Sequence, residues 1–277
     1  MRNPGAARPG LRALFYSTLV KTCFRALYGE PPDLSEDAQG SGLVLVADGV
    51  GGLDLCGTAL RYIVGAKKLP LTVKVVPWGH GWGRWHRDLT HVANRDAQAR
   101  RVAAEVSVFR ATHGEGDNRQ PVYLVGKSGG TGVVVKALEL LPEGAVETAV
   151  LIAPALSPEY DLTRALIAVR REMVVFWSPL DVIVLGAGTR VFGTIDRVKT
   201  VSAGLVGFRP PAAVGAYPKL RQERWRLKMA TTGYLGGHIG PDSPAFLRKY
   251  VVPLLLAVNT DLGSIRPGGQ AGRTPGR

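Results

Sequence analysis

The chain has 277 residues and a formal net charge of +13, from 35 lysines and arginines against 22 aspartates and glutamates. Its 45% hydrophobic content can fill a sizeable core, and its length suits one large domain or two small ones. Two cysteines exclude a disulfide framework, so we expect a reducing compartment and a cytoplasmic location. Without a recognition-helix pattern, the positive charge predicts weak contact with anionic surfaces rather than specific nucleic-acid binding.

The two ends of the chain differ from its middle. Residues 1–40 predict an amphipathic helix at 11–28, followed by a linker rich in proline, glycine and acids. The apolar face of this helix suits packing on the domain, and its basic residues suit a peripheral position at an anionic membrane surface. We expect the folded domain at 41–260 and a disordered tail, rich in Gly, Pro and Arg, at 261–277.

Between these ends, short apolar runs alternate with helical patterns. In chain order, the sequence predicts a strand at 43–47, a helix at 55–67, a strand at 71–76, a helix at 92–110, a strand at 121–125, a helix at 131–141, a strand at 148–153, a helix at 160–171, strands at 173–177 and 225–230, and a helix at 243–258 that must accommodate Pro253. Apolar strands separated by helices indicate an α/β fold with a mostly parallel sheet covered on both faces. Ligands of such sheets bind at the carboxyl ends of the strands.

The stretch PVYLVGKSGGTG, which starts at Pro121, contains two overlapping motifs. A phosphate-binding loop has the pattern Gly-x-x-x-x-Gly-Lys-Ser/Thr, and Pro121 occupies the place of its first glycine. The residues before Gly126 form a continuous strand pattern, which leaves no loop to wrap a phosphate. The phosphate-binding interpretation is therefore rejected.

The second motif, Gly-x-Ser-x-Gly, has the strand–turn–helix context that a nucleophilic serine needs. In such a turn the serine backbone is strained, so that its hydroxyl stands clear at the end of the sheet. Side chains two residues before and after the serine would collide with the neighbouring strand and helix, and Gly126 and Gly130 avoid that collision. Ser128 is therefore the candidate nucleophile. The alternative is a small-residue turn that only packs the helix closely on the strand.

With this motif, residues 42–258 resemble the α/β-hydrolase superfamily, in which the sheet has about six to eight strands and an acid and a histidine follow later strands. The resemblance implies that Asp181, after the fifth strand, is the acid and that His238, after the sixth, is the base. Asp161 and Asp196 stay alternatives for the acid. The two antiparallel strands that begin the full fold have no counterpart before residue 42, which predicts a sheet trimmed to about six main strands.

The oxyanion of an acyl-transfer intermediate needs backbone N–H donors, and the resemblance implies where they lie. One donor is Gly129, directly after the nucleophile. The other follows the first central strand, where this chain has Asp-Gly-Val-Gly-Gly in place of the common His-Gly-x motif. Val50 matches the second donor and Gly49 is the next candidate, although Asp48 in place of histidine is a departure from the pattern.

Two further features concern the surroundings of the site. His80, His86 and His91 match no compact ligand spacing and have no cysteine nearby, so we expect no metal site; the tryptophans among them are expected to pack over the sheet end or line a pocket. Asp181 and His238 are 57 positions apart, which is long for one connection and one strand. An insertion within 189–224 is expected, and the sequence leaves open whether it forms a cap.

These features together predict a serine hydrolase of the carboxylesterase or lipase type. It would cleave a small-molecule ester, or a thioester or amide, through an acyl-enzyme on Ser128 without a cofactor. An acyltransferase would use the same residues, because water and an alcohol attack the same intermediate. A non-catalytic binding protein of the same fold is a further alternative, against which the complete Ser, Asp and His set argues.

Overall fold

The computed structural model describes residues 42–80, 85–113, 119–211 and 215–256. The predicted N-terminal helix, the linker, the tail and the side chain of His86 lie outside these residues, and the division of the chain at residues 41 and 260 stays a prediction. Within the described part, no helix combines the length and hydropathy needed to cross a membrane. Cys56 there has a free, fully buried thiol.

A six-stranded sheet forms the centre of the domain, and each neighbouring pair of strands is parallel. The strand order is β2-β1-β3-β4-β5-β6. The first strand, β1, therefore lies inside the sheet, β2 is added on one side of it, and β3 to β6 follow on the other side. This confirms the predicted α/β fold with a mostly parallel sheet. The strands are β1 Gly42–Ala47, β2 Leu71–Val75, β3 Val122–Lys127, β4 Val146–Ile152, β5 Val169–Trp177 and β6 Leu220–Arg224.

Helices cover both faces of the sheet because alternate side chains of each strand point to opposite faces. Leu43 and Leu45 join one core cluster with helix residues of 92–112 and 130–140, whereas Val44 and Val46 join a second cluster with residues of 55–66 and the C-terminal helical segment. The helices up to β5 are α1 Leu55–Ala66, α2 Trp85–Thr90, α3 Val92–Thr112, α4 Gly130–Leu140 and α5 Thr163–Ala168.

The predicted sixth strand, at 225–230, is wrong. The sixth strand is Leu220–Arg224, and part of the predicted stretch forms the short helix α8, Leu227–Ala230. The reason is physical: β6 is an edge strand with the sequence LRQER, and most of it faces solvent, so it lacks the apolar run that marks the buried strands.

Two helix predictions also need correction. The helix expected at 160–171 covers only Thr163–Ala168, because β5 already begins at Val169. The final helix is irregular: α9 Pro244–Phe246 leads into a π-helical segment, Leu247–Val251, and then a 3₁₀ turn, Val252–Leu255. Proline has no N–H to donate, so an uninterrupted α-helix through Pro253 would lose a backbone hydrogen bond.

The long connection between β5 and β6 divides into parts with different roles. A π-helical turn, Ile183–Gly188, and helix α6, Thr189–Phe192, lie beside the carboxyl end of the sheet. Helix α7, Ala203–Val206, returns to the sheet: Ala203 and Phe208 are buried in the first core cluster. Among the described residues of this connection, those that line the pocket lie within 184–193, so this part of the expected insertion forms one wall of the pocket.

Candidate active site

Ser128 lies in a strained turn between β3 and α4. Its φ of 50° is in the left-handed region, which few residues other than glycine adopt. Gly130 leaves no room for a side chain, because a Cβ there would lie 2.0 Å from the Ala47 carbonyl oxygen. At Gly126 a Cβ would lie 2.9 Å from the Thr131 Cα. The two flanking glycines therefore have the steric role that the motif predicts.

The structure brings Ser128, His238 and Asp181 into one hydrogen-bonded chain. His238 Nε2 lies 2.9 Å from Ser128 Oγ, and His238 Nδ1 lies 2.6 Å from Asp181 Oδ2. Ser128 is 5% exposed and Asp181 4%, so the chain is largely shielded from water while the histidine edge stays accessible. This geometry can pass a proton from the hydroxyl to the imidazole, with the carboxylate orienting the ring.

The loops that carry the acid and the histidine pack directly against each other. Gly236 has a φ of 95°, and a Cβ at this position would approach the Leu180 side chain to 2.6 Å. A larger residue would thus push apart the loops that hold Asp181 and His238. Gly236 therefore helps to position the two loops.

The two alternative acids lie in other interactions. Asp161 accepts hydrogen bonds from the backbone and hydroxyl of Thr163 and from the Tyr217 hydroxyl. Asp196 accepts from the backbone N–H and the hydroxyl of Ser157. Only Asp181 of the three candidates is hydrogen-bonded to His238.

The candidate oxyanion donors lie beside Ser128. A Cβ at Gly129 would be 2.7 Å from a Val50 methyl group, and a Cβ at Gly49 would be 3.6 Å from the Ser128 Cβ, so the two turns touch. The Gly49 N–H already donates to the Asp48 carboxylate at 3.0 Å. The N–H groups of Val50 and Gly129 donate to no oxygen of the described residues, which favours these two as the donors.

Asp48 replaces the histidine that the resemblance leads one to expect, and it acts as a brace for its own loop. One carboxylate oxygen accepts from Gly49 and the other from the Gly57 N–H at 2.8 Å, which ties the turn to the start of α1. Its carbonyl oxygen accepts from the Trp78 indole N–H at 2.7 Å. The departure from the superfamily pattern therefore leaves the loop well anchored.

A second buried acid, Asp88, holds the same loop, and nothing in the sequence pattern distinguishes it. One of its oxygens accepts from the Gly51 N–H at 2.8 Å. The other accepts from the His80 backbone N–H and lies 2.7 Å from His80 Nδ1. His91 completes this cluster, with Nδ1 at 3.5 Å from His80 Nε2. A single acid within a tryptophan- and histidine-rich stretch is too common a pattern to reveal this role.

Lys127 and Asp242 form a buried ion pair next to the nucleophile, and this pair was also missed. Burial raises the pKa of Asp242 to about 6, while the Lys127 ammonium opposes that rise. The second carboxylate oxygen of Asp242 has no hydrogen-bond partner among the described residues, which also disfavours its charge. Burial acts to lower the pKa of Lys127, but Asp242 and Asp48 outweigh it and raise that pKa.

A pocket of about 370 Å³ opens above Ser128 and His238. Its polar groups lie at the base, where Asp48, Lys127 and Asp242 also contribute to the lining. The walls are mainly apolar and include Val50, Leu53, Leu89, Val184, Phe192 and Ile239. The volume lies within the range of small-molecule sites, roughly 300–1,000 Å³. The described residues contain no group of three or more side chains suited to holding a metal ion.

The strand order, the strained serine turn after β3 and the acid and histidine after later strands together define an α/β-hydrolase fold. No protein-family model and no curated protein matches the chain. Among solved structures it resembles a poly(3-hydroxybutyrate) depolymerase from Bordetella parapertussis, with 15% identity, a TM-score of 0.46 and coverage of 77% of this chain and 84% of that chain. It also resembles a metagenomic carboxyl esterase, with 14% identity, a TM-score of 0.34 and coverage of 94% and 97%. These likenesses are distant, so the fold assignment rests on the geometry of the chain itself.

Proposed function

We propose that this protein is a serine hydrolase that cleaves carboxylic esters through an acyl-enzyme on Ser128. The observation that carries the proposal is the hydrogen-bonded chain from Asp181 through His238 to a serine held at a positive φ. Backbone strain at a polar residue in a pocket costs about 1–3 kcal/mol and persists where it serves a purpose. A nucleophilic serine in a turn between a strand and a helix requires this strained backbone.

The proposed reaction follows from the position of each group. Ser128 Oγ attacks the ester carbonyl as His238 Nε2 takes its proton, and Asp181 stabilises the imidazolium. The N–H groups of Val50 and Gly129 bind the negative oxygen of the tetrahedral intermediate. His238 then protonates the departing alcohol, which leaves the acyl group on Ser128. Water, deprotonated by the same histidine, attacks the acyl-enzyme and releases the acid.

The pocket favours an uncharged, largely apolar substrate. The walls offer few polar partners for a charged substrate, and Lys127, a buried cation in the lining, is already paired with Asp242. The reaction needs no cofactor, because the nucleophile, the base and the oxyanion donors all come from this chain. A thioester or amide would use the same steps, with a different leaving group.

The first test is covalent labelling by a fluorophosphonate probe, which reports an activated serine. Wild-type protein should react, and Ser128→Ala should not. Ser107→Ala is a matched control, since that serine lies on α3 and its hydroxyl donates to a backbone carbonyl. Labelling that survives in Ser128→Ala, or that disappears in Ser107→Ala, would remove the basis for the proposed nucleophile.

Acyl transfer is the second candidate function, because Ile239 and Phe192 place apolar surface at the pocket mouth where an alcohol acceptor would bind. Turnover of a p-nitrophenyl ester in water with added medium-chain alcohol separates the two activities. A hydrolase should yield mostly free acid. An ester product that dominates at low millimolar alcohol would assign the protein as a transferase.

A further inference from the structure

Large apolar side chains are exposed in an uneven pattern. Of the 13 exposed large hydrophobic residues of the described chain, eight fall within two short segments, 180–192 and 235–239. The other five are scattered over the remaining surface. We call the eight residues the apolar rim; they are Leu180, Val182, Ile183, Val184, Val191, Phe192, Leu235 and Ile239.

The rim surrounds the entrance of the pocket. Val184, Phe192 and Ile239 line the pocket and are also exposed, so they form its upper edge. The two segments are neighbours in space, since the Gly236 backbone packs against the Leu180 side chain and His238 is hydrogen-bonded to Asp181. The exposed apolar surface is therefore continuous with the site of the proposed chemistry. Contiguous apolar surface of this kind marks an interaction site in soluble proteins.

The charges within and beside the rim have one sign. Arg190 lies within the first segment and is exposed, and Arg197 and Lys199 follow it, also exposed. A guanidinium N–H of Arg197 donates to the Phe192 carbonyl at 3.4 Å, which places this cation next to the rim. The acids of the same stretch are turned inward: Asp181 is buried and Asp196 binds Ser157. Asp54, which also lines the pocket, is half-buried.

We propose that the apolar rim docks on an anionic lipid surface and that the substrate enters the pocket from that surface. The proposal deepens the proposed function, on which its second part rests. Apolar side chains would insert at the boundary between headgroups and acyl chains, while Arg190, Arg197 and Lys199 would contact lipid phosphates. A basic, apolar surface fits a membrane better than a second copy of this chain, because two copies would bring like charges together.

The first experiment measures binding of the full chain in its Ser128→Ala form to vesicles, so that no substrate turnover is involved. Vesicles of phosphatidylcholine with phosphatidylglycerol should bind the protein at least tenfold more strongly than phosphatidylcholine alone. The variant Ile183→Glu/Val191→Glu should lose at least tenfold in affinity for the anionic vesicles. Neither residue lines the pocket, and their exposures are 83% and 64%.

The matched control is Val108→Glu/Leu140→Glu, which places the same charges at apolar positions with exposures of 66% and 55% on α3 and α4. It should bind like the parent. Made separately in the chain that retains Ser128, both double variants should hydrolyse a short water-soluble ester at the wild-type rate. Arg190→Gln should weaken binding about fivefold, in line with one basic contact. Equal loss in the two double variants would overturn the proposal, as would absent binding by the parent.

Light scattering coupled to gel filtration tests whether a second copy of this chain covers the apolar rim instead of a lipid surface. The parent should be monomeric, and Ile183→Glu/Val191→Glu should leave its mass unchanged. A dimeric parent that dissociates in this variant would show that a second copy covers the rim and would overturn the proposal. Fluorophosphonate labelling of the wild-type chain is independent of all these results, so a failure of lipid docking can be told from a failure of the proposed chemistry.

Discussion

Lys127 and Asp242 connect the turn of the proposed nucleophile, Ser128, with the loop of the proposed base, His238. Lys127 directly precedes Ser128, and Asp242 ends the loop that begins at Gly236 and carries His238. Both side chains are almost fully buried. The ion pair therefore joins the turn of Ser128 to the loop of His238. The hydrogen bond between His238 and Asp181 is a second, separate contact of that loop.

Breaking this link should lower activity without removing any group of the proposed triad. We expect Asp242→Asn to reduce kcat/KM between about tenfold and a hundredfold, because a displacement of about 1 Å in such a site costs that much. The measurement is steady-state hydrolysis of a soluble ester, with circular dichroism to show that the variant folds. Wild-type kcat/KM in a folded Asp242→Asn would contradict a positioning role.

The raised pKa of Asp242 predicts a pH-dependent contribution to stability. Because its folded pKa of about 6 lies above the unfolded value of 3.8, the folded state binds this proton more tightly. Its contribution is fully present below about pH 4 and is lost as the pH rises through about 6. The difference in unfolding free energy between wild type and Asp242→Asn should therefore fall by about 2 kcal/mol between pH 4 and pH 7. Urea unfolding at several pH values measures it, and a difference that rises with pH would refute the assignment.

Asp88 should matter for the transition state more than for substrate binding. It holds Gly51, one residue after the proposed donor Val50, so its loss should misplace that N–H group. We expect Asp88→Ala to lower kcat about tenfold to a hundredfold with little change in KM, which is less than the roughly 10²–10³ for loss of an oxyanion donor. Michaelis–Menten analysis separates these effects. A raised KM at unchanged kcat would place Asp88 in substrate binding instead.

The choice of acid can be tested by paired amide substitutions. Asp181→Asn should reduce kcat by about 10⁴, since the amide would favour the wrong imidazole tautomer. Asp161→Asn should leave kcat within twofold, because Asp161 binds Thr163 and Tyr217 instead of His238. Both rates come from the same ester assay. The reverse order of the two losses would assign Asp161 as the acid.

The steric role of Gly130 can be tested by alanine substitution, with the same substitution at Gly237 as the control. A Cβ at Gly130 would lie 2.0 Å and 2.4 Å from the carbonyl oxygens of Ala47 and Asp48, which are backbone atoms that cannot move aside. Gly130→Ala should therefore cost more than about 4 kcal/mol or prevent folding. A Cβ at Gly237 meets nothing within 4 Å, so Gly237→Ala should cost about 1 kcal/mol or less. Thermal unfolding compares the two variants, and similar melting temperatures would contradict the steric account.

The sequence was most informative where burial and local strain act together. Four of the predicted strands are largely buried apolar runs, and Ser128 could be predicted because its turn tolerates only glycine at two flanking positions. The edge strand β2 was also predictable, because its apolar residues alternate with polar ones, whereas the mostly exposed edge strand β6 has no such pattern. The fold class was thus predictable from local patterns, and the position of β6 was not.

The supporting residues of the site were the least predictable part. Asp88 and Gly51 are 37 positions apart, and Lys127 and Asp242 are 115 apart, so each contact depends on how the sheet brings distant turns together. An aspartate that braces a loop has the same local sequence signature as one that caps a turn. Such roles become visible only when the fold places the partner beside it.

The connection after Asp181 contributes to the pocket wall, whereas the proposed reactive groups lie outside it. The acid sits at the very start of the connection, and the next dozen residues build one side of the pocket before Ile195 re-enters the core. The exposed residues of that stretch can be exchanged while Ser128, His238 and Asp181 stay in the loops that follow their own strands. For the proposed hydrolase, substrate preference can therefore change through one surface segment, with the proposed reactive groups left in place.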